Sequence, residues 1–388
     1  MKYSRRDFIG SAAATAVLGI HPAINAAEPP YRAGIIGDSR QGQYGHAMHR
    51  VFELCPNVRV AGLADPVEAG RQKFGAEAKA ERLYSDYREM LEKEKPALVS
   101  IAPRWTPLHR EYLLACTAVG AHGIIEKPLA SDLDEADAMV AAVDSKNLKW
   151  GIGFNFRVLA EVQFLRQAVV EEGLIGEILE ARGRGKEDQR AGGEDLVVLG
   201  THVFDLMRFF LGNPQWVSAD ITMDGKPVTL NDRREASEPV GLVAGDRIHA
   251  MYGFGKGITG YFSSVKTTDR SAGRWGLDIF GAKGMVSIRQ NGGARISLFR
   301  SPAWAPGKEA SAWEMVPNLP TTVFSRPEAE RYLPIVQDVI AKIGKPVRPV
   351  VSLHDGRASL EMIQGVYASH LHASRVELPL TERKHPLR

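Results

Sequence analysis

The feature that most constrains the fold is the regular alternation of short apolar strands with helices between residues 33 and 153. Strands are predicted at Ala33–Ile36, Val58–Ala64, Ala97–Ile101, His122–Ile125 and Lys149–Gly153. The intervening helices are predicted near Tyr44–Leu54, from Val67, and at Tyr87–Lys93, Pro107–Val119 and Leu133–Val143. This order is typical of parallel strands joined by crossover helices, so we expect an α/β domain over Tyr31–Gly153, a Rossmann doubly wound parallel sheet of about six strands.

The pattern changes after Phe156, which indicates a second domain. Two helices, at Leu159–Glu172 and Val203–Phe210, flank a strand at Glu177–Gly185. Strands of period two follow at Trp216–Met223, Arg247–Phe254, Gly257–Ser264 and Trp275–Phe280, with a hairpin turn at Gly281–Gly284 and late helices at Ala329–Ile343 and Asp355–His370. Strands without long helices between them pair antiparallel, so residues 154–380 predict an α+β domain with an open, mainly antiparallel sheet.

Size and composition suit a two-domain protein and exclude several function classes. A chain of 388 residues exceeds one ordinary core, and a formal charge of +3 predicts no nucleic-acid partner. Cys55 and Cys116 show no zinc-site spacing, and the chain has neither a glycine-lysine phosphate loop nor a His-Glu-x-x-His helix. We therefore predict no bound metal.

The N-terminus has the features of an export signal. Arg5 and Arg6 precede a weakly apolar run, Ile9–Ile20, and small residues continue to Ala27. We predict that residues 1–27 are a twin-arginine signal peptide, that the twin-arginine translocase is a partner, and that the mature protein is periplasmic or otherwise exported. An amphipathic N-terminal helix is the alternative. No other apolar run is long enough to span a bilayer, so no membrane anchor is expected in the mature form.

A dinucleotide fingerprint lies between the first strand and the next helix. Its residues are Gly37, Asp38, Ser39, Arg40, Gln41 and Gly42, and serine replaces the middle glycine. Glycines in such a loop let the backbone turn tightly and approach a pyrophosphate. We predict that these six residues bind a cofactor.

The second strand ends in Asp65, where a carboxylate can accept hydrogen bonds from the ribose hydroxyls of an adenosine. Its charge would repel a 2′-phosphate, which favours NAD, although nearby Arg71 leaves NADP possible. A helix N-cap before Pro66 is a compatible structural role for the same side chain.

The third motif, Glu126-Lys127-Pro128, follows the strand His122–Ile125 and reveals a family resemblance. Together with several other segments it resembles the glucose-fructose oxidoreductase, inositol dehydrogenase and MocA family over essentially the whole mature chain. Those segments are Gly120–His122, Ser100-Ile101-Ala102-Pro103, Gly153-Phe154-Asn155-Phe156-Arg157, Gly200-Thr201-His202 with Asp205, and Arg357–Leu380.

The resemblance implies roles for individual residues. Lys127, at the carboxyl end of a strand, would act as acid, base or electrostatic stabiliser, and His202 would shuttle the proton of the reacting hydroxyl, although a structural histidine is the alternative. Many family members carry aspartate four residues before this histidine, where this chain has Val198. Asp195 or Glu194 would then supply a carboxylate, unless Lys127 and His202 act without one.

The remaining predicted site residues would bind the cofactor or frame the substrate. Glu126, Asn155, Arg157, Arg104, Trp105 and His109 are predicted at the cofactor, with Trp105 as an aromatic wall. The charged run Arg182, Arg184, Lys186, Glu187, Asp188 and Arg190 lines either the substrate pocket or a solvated strand edge.

The resemblance implies an NAD(P)-dependent oxidoreductase that acts on CH–OH groups of a sugar, cyclitol or glycoside by hydride transfer at a ring carbon. A homo-oligomer is expected. Because free nicotinamide nucleotide is scarce outside the cytoplasm, we expect the cofactor to be tightly held and recycled. Two alternatives remain: an NAD-dependent glycosidase or lyase that uses transient oxidation, and a catalytically impaired sugar-binding protein.

Overall fold

The computed structural model describes residues 31–267, 273–290, 294–307, 312–325 and 327–388, so the predicted signal peptide lies outside the described residues. The first domain contains the predicted parallel sheet, with strand order β3-β2-β1-β4-β5-β6. Its strands are β1 (Tyr31–Ile36), β2 (Val58–Ala64), β3 (Arg82–Tyr84), β4 (Leu98–Ile101), β5 (His122–Ile125) and β6 (Trp150–Ile152). This order places the carboxyl ends of β1 and β4 at the centre of one edge, where a doubly wound sheet binds its ligand.

Four helices cover this sheet, and their sequence signals are local. They are α1 (Glu68–Glu77), α2 (Tyr87–Glu94), α3 (Thr106–Ala118) and α4 (Leu133–Ser145). The side chain of Asp86 caps α2 by accepting from Arg88 N, and Asp132 caps α4 by accepting from Glu135 N.

The helix predicted at Tyr44–Leu54 is not an α-helix. Only two 3₁₀ turns form there, at Met48–Arg50 and Phe52–Leu54. Gly45 and Ala47 both adopt positive φ, at 56° and 60°, which interrupts a right-handed helix. The fingerprint loop is therefore followed by tight turns rather than by a helix N-terminus.

The second domain is built on a mixed, mainly antiparallel sheet, as predicted. Its order is β16-β15-β14-β7-β13-β12-β8-β17, with β9 paired to β8, and β7 and β13 run parallel. Gly281 pairs with Gly284, which confirms the predicted hairpin. The strands are β7 (Ile178–Arg184), β8 (Trp216–Met223), β9 (Lys226–Pro227), β12 (Arg247–Gly253), β13 (Thr259–Val265), β14 (Gly276–Gly281), β15 (Gly284–Gln290), β16 (Ala294–Phe299) and β17 (Val376–Glu377), and a separate ribbon joins β10 (Arg234–Glu235) to β11 (Leu242–Val243).

Six further helices lie in the part of the chain that the structure describes. They are α5 (Ala160–Arg166), which runs into a π-helical turn at Gln167–Glu171, α6 (Gly193–Val198), α7 (Gly200–Leu211), α8 (Pro327–Glu330), α9 (Leu333–Lys342) and α10 (Leu353–Leu371). Apolar side chains of α7, including Val203, Phe204 and Met207, are buried in the core of the second domain. No helix in the described ranges is long and apolar enough to cross a membrane.

The last helices connect the two domains. Ile335, Val336 and Val339 of α9 pack in a core that also contains Ala33 and Ile124 of the parallel sheet. Helix α10 contacts β6 and α4 of the first domain and β8 and α7 of the second. This packing brings the carboxyl ends of β5 and β6 close to the start of α7.

Candidate active site

Lys127 follows the end of β5 and points toward the second domain. Its Nζ donates a hydrogen bond to the carbonyl oxygen of Val198 at 2.9 Å, and the residue is 2% exposed. Burial lowers the pKa of the Lys127 ammonium, and nearby Arg104 and Arg190 lower it further, while Glu126 and Glu238 oppose the shift. A lysine in this setting releases its proton more readily than one in water.

Glu126 joins the fingerprint loop to the end of β5. Its Oε2 accepts from Lys127 N at 2.7 Å, and its Oε1 accepts from His46 N at 3.3 Å and lies 2.7 Å from His46 Nδ1. Burial works to raise the pKa of Glu126, but His46 and Lys127 outweigh it and hold the pKa at about 2. A Cβ on Gly45 would lie 2.5 Å from Oε1, so the close approach of the loop requires glycine.

His202 lies in the first turn of α7 inside an aromatic cage. Phe154, Phe156 and Trp275 meet its ring edge to face at centroid distances of 5.7, 5.5 and 6.0 Å. Burial and the charge of Lys127 lower the pKa of His202 well below 6.5, so the ring is neutral. Its Nδ1 is buried and has no hydrogen-bond partner among the described residues, which leaves a polar atom available to a ligand.

A cavity of about 330 Å³ brings these groups together. Three predicted site residues, Lys127, Asn155 and His202, line it, and so do two members of the charged run, Lys186 and Arg190. The other residues that line the cavity were not predicted from the sequence. They are His46, Phe156, Leu159, Leu199, Trp275, Phe324, Arg331 and Tyr332. Two of these had a sequence signal: Phe156 belongs to the family segment 153–157, and His46 lies four residues after the fingerprint loop.

The structure does not bring the candidate carboxylates to this cavity. Asp195 is fully buried, and it accepts hydrogen bonds from Lys186 N and Glu187 N at 3.1 Å and from Ser264 Oγ at 2.5 Å. Glu194 accepts from the backbone of Ser237 and Glu238 at 3.0 Å. The described residues that line the cavity include no aspartate or glutamate, so the Val198 carbonyl takes the place beside Lys127 where a carboxylate was sought.

Several residues predicted at the cofactor, among them Arg157, Arg104, His109 and Trp105, line neither this cavity nor the one described below. Arg157 forms buried ion pairs with Asp205 and Asp355, and Arg104 donates to Glu238 at 3.0 Å. His109, inside α3, has Nε2 2.7 Å from Pro103 O and Nδ1 3.0 Å from Leu129 O, so it holds two loops together. Trp105 is half-buried, and its backbone packs against Gly42.

A second cavity, of about 280 Å³, lies at the carboxyl ends of β1 and β2. Gly37, Asp38, Arg40 and Asp65 line it, together with Asp86, Tyr87, Arg88 and Tyr112 among others. Arg40 folds back onto Asp38, with Arg40 N 2.9 Å from Oδ1. Negative charge at Asp65 makes this end of the sheet unfavourable for a 2′-phosphate.

Asp65 also orders the fingerprint loop. Its Oδ2 accepts hydrogen bonds from Ser39 N at 3.1 Å, Ser39 Oγ at 2.6 Å and Tyr44 OH at 2.8 Å, and its Oδ1 accepts from Val67 N at 2.8 Å. The serine that replaces the middle glycine therefore points at Asp65 and α1 rather than at a ligand. Gly70 of α1 makes room for it, because a Cβ there would lie 1.8 Å from Ser39 Oγ.

The glycines of the loop fit a dinucleotide. Gly42 has φ of 72°, and a Cβ there would lie 2.6 Å from Trp105 N, so this glycine lets the loop cross the end of β4 closely. The fingerprint loop runs between the two cavities, at the edge of the sheet where an extended NAD molecule would bind. Gln41 belongs to this loop but lines neither cavity. The described residues contain no group of three or more His, Cys, Asp or Glu arranged to hold a metal ion.

Comparisons with known proteins agree with this architecture. A family model described as an oxidoreductase family with an NAD-binding Rossmann fold matches residues 31–154, and its C-terminal alpha/beta domain matches residues 168–378. Levoglucosan dehydrogenase of Pseudarthrobacter phenanthrenivorans is 31% identical over 288 residues, which cover 65% of this chain and 70% of that protein. Myo-inositol 2-dehydrogenase of Thermotoga maritima is 26% identical over 188 residues, 47% of this chain and 55% of that protein.

A solved structure of levoglucosan dehydrogenase in complex with NADH and levoglucosan has the same fold. It superposes with a TM-score of 0.73 and 21% sequence identity, covering 90% of this chain and 100% of that chain.

Proposed function

The chain belongs to the Gfo/Idh/MocA family of oxidoreductases, and from that premise we propose that it oxidises a ring CH–OH group of a sugar or cyclitol, free or in a glycoside, with NAD. The observation that carries this proposal is the convergence of Lys127 and His202 on one cavity beside the glycine loop. The names of two relatives, a levoglucosan dehydrogenase and a myo-inositol dehydrogenase, support a ring polyol as substrate.

Bound NAD would supply the oxidised nicotinamide that accepts a hydride from the substrate carbon. Lys127 would take the hydroxyl proton, because burial lowers the pKa of its ammonium group and so favours the neutral amine more than water does. The positive charge that Lys127 gains is stabilised by the Val198 carbonyl and by ionised Glu126.

The proton needs an exit, because a carbonyl oxygen stabilises the lysine charge without accepting the proton. Neutral His202 lines the same cavity and has an unpartnered ring nitrogen, so it can hydrogen-bond the reacting hydroxyl and pass a proton on, while its lowered pKa means that it holds that proton only transiently. Asp195 would act as a positioning residue, since it holds the backbone of Lys186 and Glu187 beside the cavity.

The test is to incubate the purified protein and NAD with a panel of sugars, cyclitols and glycosides and to follow NADH absorbance. We expect NADH to form with at least one ring polyol and to be lost when His202 is changed to Ala. Tight NAD binding combined with no NADH and no isotope exchange at any ring C–H would contradict a dehydrogenase.

Export and cofactor retention form a second part of the proposal, supported by the paired Arg5 and Arg6. Residues 1–30 fused to a folded reporter should direct it out of the cytoplasm, and Arg5→Lys with Arg6→Lys should prevent this. The exported protein, washed free of loose nucleotide, should turn over repeatedly when offered a polyol together with a carbonyl sugar. Strict dependence on added NAD would contradict retention.

A homo-oligomer is the third part of the proposal. Met251 and Tyr261 are direct cross-strand neighbours on β12 and β13, each is 36% exposed, and Leu179 on the adjoining β7 is 43% exposed. Adjacent exposed apolar side chains on a sheet face are typical of an association surface. Light scattering should give a mass above that of one chain, reduced by Tyr261→Glu, and a wild-type monomer would contradict the proposal.

A further inference from the structure

We propose that the substrate bound in the Lys127–His202 cavity carries a carboxylate, as in a uronic or aldonic acid or its glycoside. The inference rests on the proposed function and names its substrate class. Among the described residues, the cavity lining includes Lys127, Lys186, Arg190 and Arg331, together with His46 and His202, and no acidic residue. A neutral polyol needs acceptors as well as donors. In this lining only the uncharged side chains, such as Asn155 and neutral His202, can accept, whereas the cations can only donate.

For Lys186 and Arg190, the charges just behind the lining do not cancel this excess. Arg190 and Lys186 both pair with Asp188, and Arg190 shares Glu238 with Arg104. Three cations thus share two carboxylates, and the balance of this cluster is one positive charge. Lys186 Nζ lies 3.4 Å from Asp188 Oδ2 and its side chain is 43% exposed, so it keeps donor capacity for a ligand.

Two uncharged polar groups support the same conclusion. His202 Nδ1 and Trp275 Nε1 are buried, and neither has a hydrogen-bond partner among the described residues. Both residues line the cavity and are more than nine-tenths buried. Trp275 can only donate, which requires an acceptor such as a carboxylate or hydroxyl oxygen on the ligand.

The size of the charge excess favours a carboxylate over a phosphate. A single positive charge matches a monoanion, whereas a phosphate group carries close to two negative charges at neutral pH. The cations also differ in position from those expected at the cofactor pyrophosphate. Lys186 and Arg190 belong to the second domain, after β7, while the glycine loop that would hold the pyrophosphate follows β1.

The experiment compares matched substrates and matched variants of the full chain with NAD. Methyl β-D-glucuronide, methyl β-D-glucoside and glucose 6-phosphate are compared by kcat/KM and, independently, by binding measured through tryptophan fluorescence. Lys186→Met removes one of the cations that line the cavity. Lys226→Met, which removes an exposed lysine of the same domain, is the control. We expect the uronide to bind roughly tenfold or more tightly than the glucoside and the phosphate and, where turnover occurs, to have a kcat/KM higher by the same factor. Lys186→Met, but not Lys226→Met, should lower this preference for the uronide about tenfold.

The two readouts separate this inference from the proposed function. Lys186-dependent binding of the uronide without NADH formation would support the carboxylate site and contradict the dehydrogenase. NADH formation from neutral sugars, with no preference for the uronide and no effect of Lys186→Met on the ratio, would overturn the inference and leave the dehydrogenase intact. Preference for the phosphate would also overturn it.

Discussion

At the scale of single residues, burial lowers the pKa of Lys127 and so changes its acid–base chemistry. Lys127→Met should lower turnover by roughly a hundredfold or more, the usual contribution of a positioned acid or base, while NAD binding stays largely intact. In the native enzyme, kcat/KM for oxidation should rise with pH through an inflection below the ordinary lysine pKa of about 10.4, because burial lowers the pKa of Lys127. Stopped assays over a pH series check both; near-normal turnover in the variant would exclude Lys127 from proton transfer.

Glu126 should make stability depend on pH in the acid range. Its folded-state pKa of about 2 lies below the ordinary 4.5, so the ionised form stabilises the fold above about pH 4.5, and this contribution disappears as pH falls toward 2. Glu126→Gln should therefore cost a few kcal/mol at pH 7, on the scale of about 1.36 kcal/mol per pKa unit, and progressively less below pH 4.5. Urea unfolding at several pH values measures this, with exposed Glu92→Gln as the control. A cost independent of pH would show that the carboxylate charge has no such role.

Residue identity allowed some of the site to be predicted and left other parts hidden. Lys127 and His202 could be proposed as site residues from the sequence, because each lies in a short motif at the end of one element. The ion pairs of Arg157 could not be predicted, since its partners Asp205 and Asp355 lie far along the chain and only the folded packing brings them together. Trp275 and Tyr332 come from segments with no motif, so nothing in their local sequence marks them as cavity residues.

At the scale of elements, the fingerprint loop and α1 are fitted to each other through Ser39 and Gly70. Gly70→Ala alone should destabilise the protein by about 1–3 kcal/mol, because the new Cβ would lie 1.8 Å from Ser39 Oγ. In a Ser39→Gly background the contacts with Ser39 are gone and only Asp65 Oδ2, 2.9 Å from the new Cβ, must still shift, while alanine gains up to about 1 kcal/mol of helix propensity. A double-mutant cycle by chemical unfolding should therefore show a coupling of at least about 1 kcal/mol.

The matched control for that cycle is Gly75→Ala on the same helix. Its new Cβ would meet Leu83 rather than the loop, so its effect should add to that of Ser39→Gly. Additive behaviour of Gly70→Ala as well would mean that the serine and the glycine are not fitted to each other.

Local sequence patterns predicted most helices and strands. They failed where the backbone adopted a conformation other than the one that the apolar spacing favours. The central strands and the hairpin at Gly281 and Gly284 follow from apolar runs and turn residues. Strand β3, of three residues, is too short to show any periodicity, and α6 was not predicted because it begins at Gly193. The apolar spacing of 44–54 resembles a helix, yet the positive φ of Gly45 and Ala47 restricts it to 3₁₀ turns.

At the scale of the whole molecule, α10 makes the two domains interdependent. Its Leu360 packs in the core of the parallel sheet, while Met362, Ile363 and Val366 pack in the core of the second domain. The sequence predicted a helix there, but which sheet it would cover depends on contacts between distant segments. The cavity lies between the ends of β5 and β6 and the start of α7, so the placement of Lys127 against Val198 depends on this shared helix.

Arg157 joins α7 to α10 by charge and gives the sharpest test of the arrangement. Its Nε lies 3.0 Å from Asp205 Oδ2 on α7, and its NH1 lies 2.9 Å from Asp355 Oδ1 in the first turn of α10. Arg157→Met would leave two buried carboxylates without this partner, so the free energy of unfolding should fall by roughly 3–5 kcal/mol.

The control is Arg166→Met, because Arg166 stacks on the same Phe209 ring but pairs with Glu171, whose side chain is 59% exposed. Its cost should stay within about 1 kcal/mol. Calorimetric titration at a temperature where both variants are folded should give NAD affinities close to the wild type, since Arg157 lines neither cavity. The sequence motif alone predicted Arg157 at the cofactor, so a large loss of NAD affinity with unchanged stability would support that role and contradict the ion-pair role assigned by the structure.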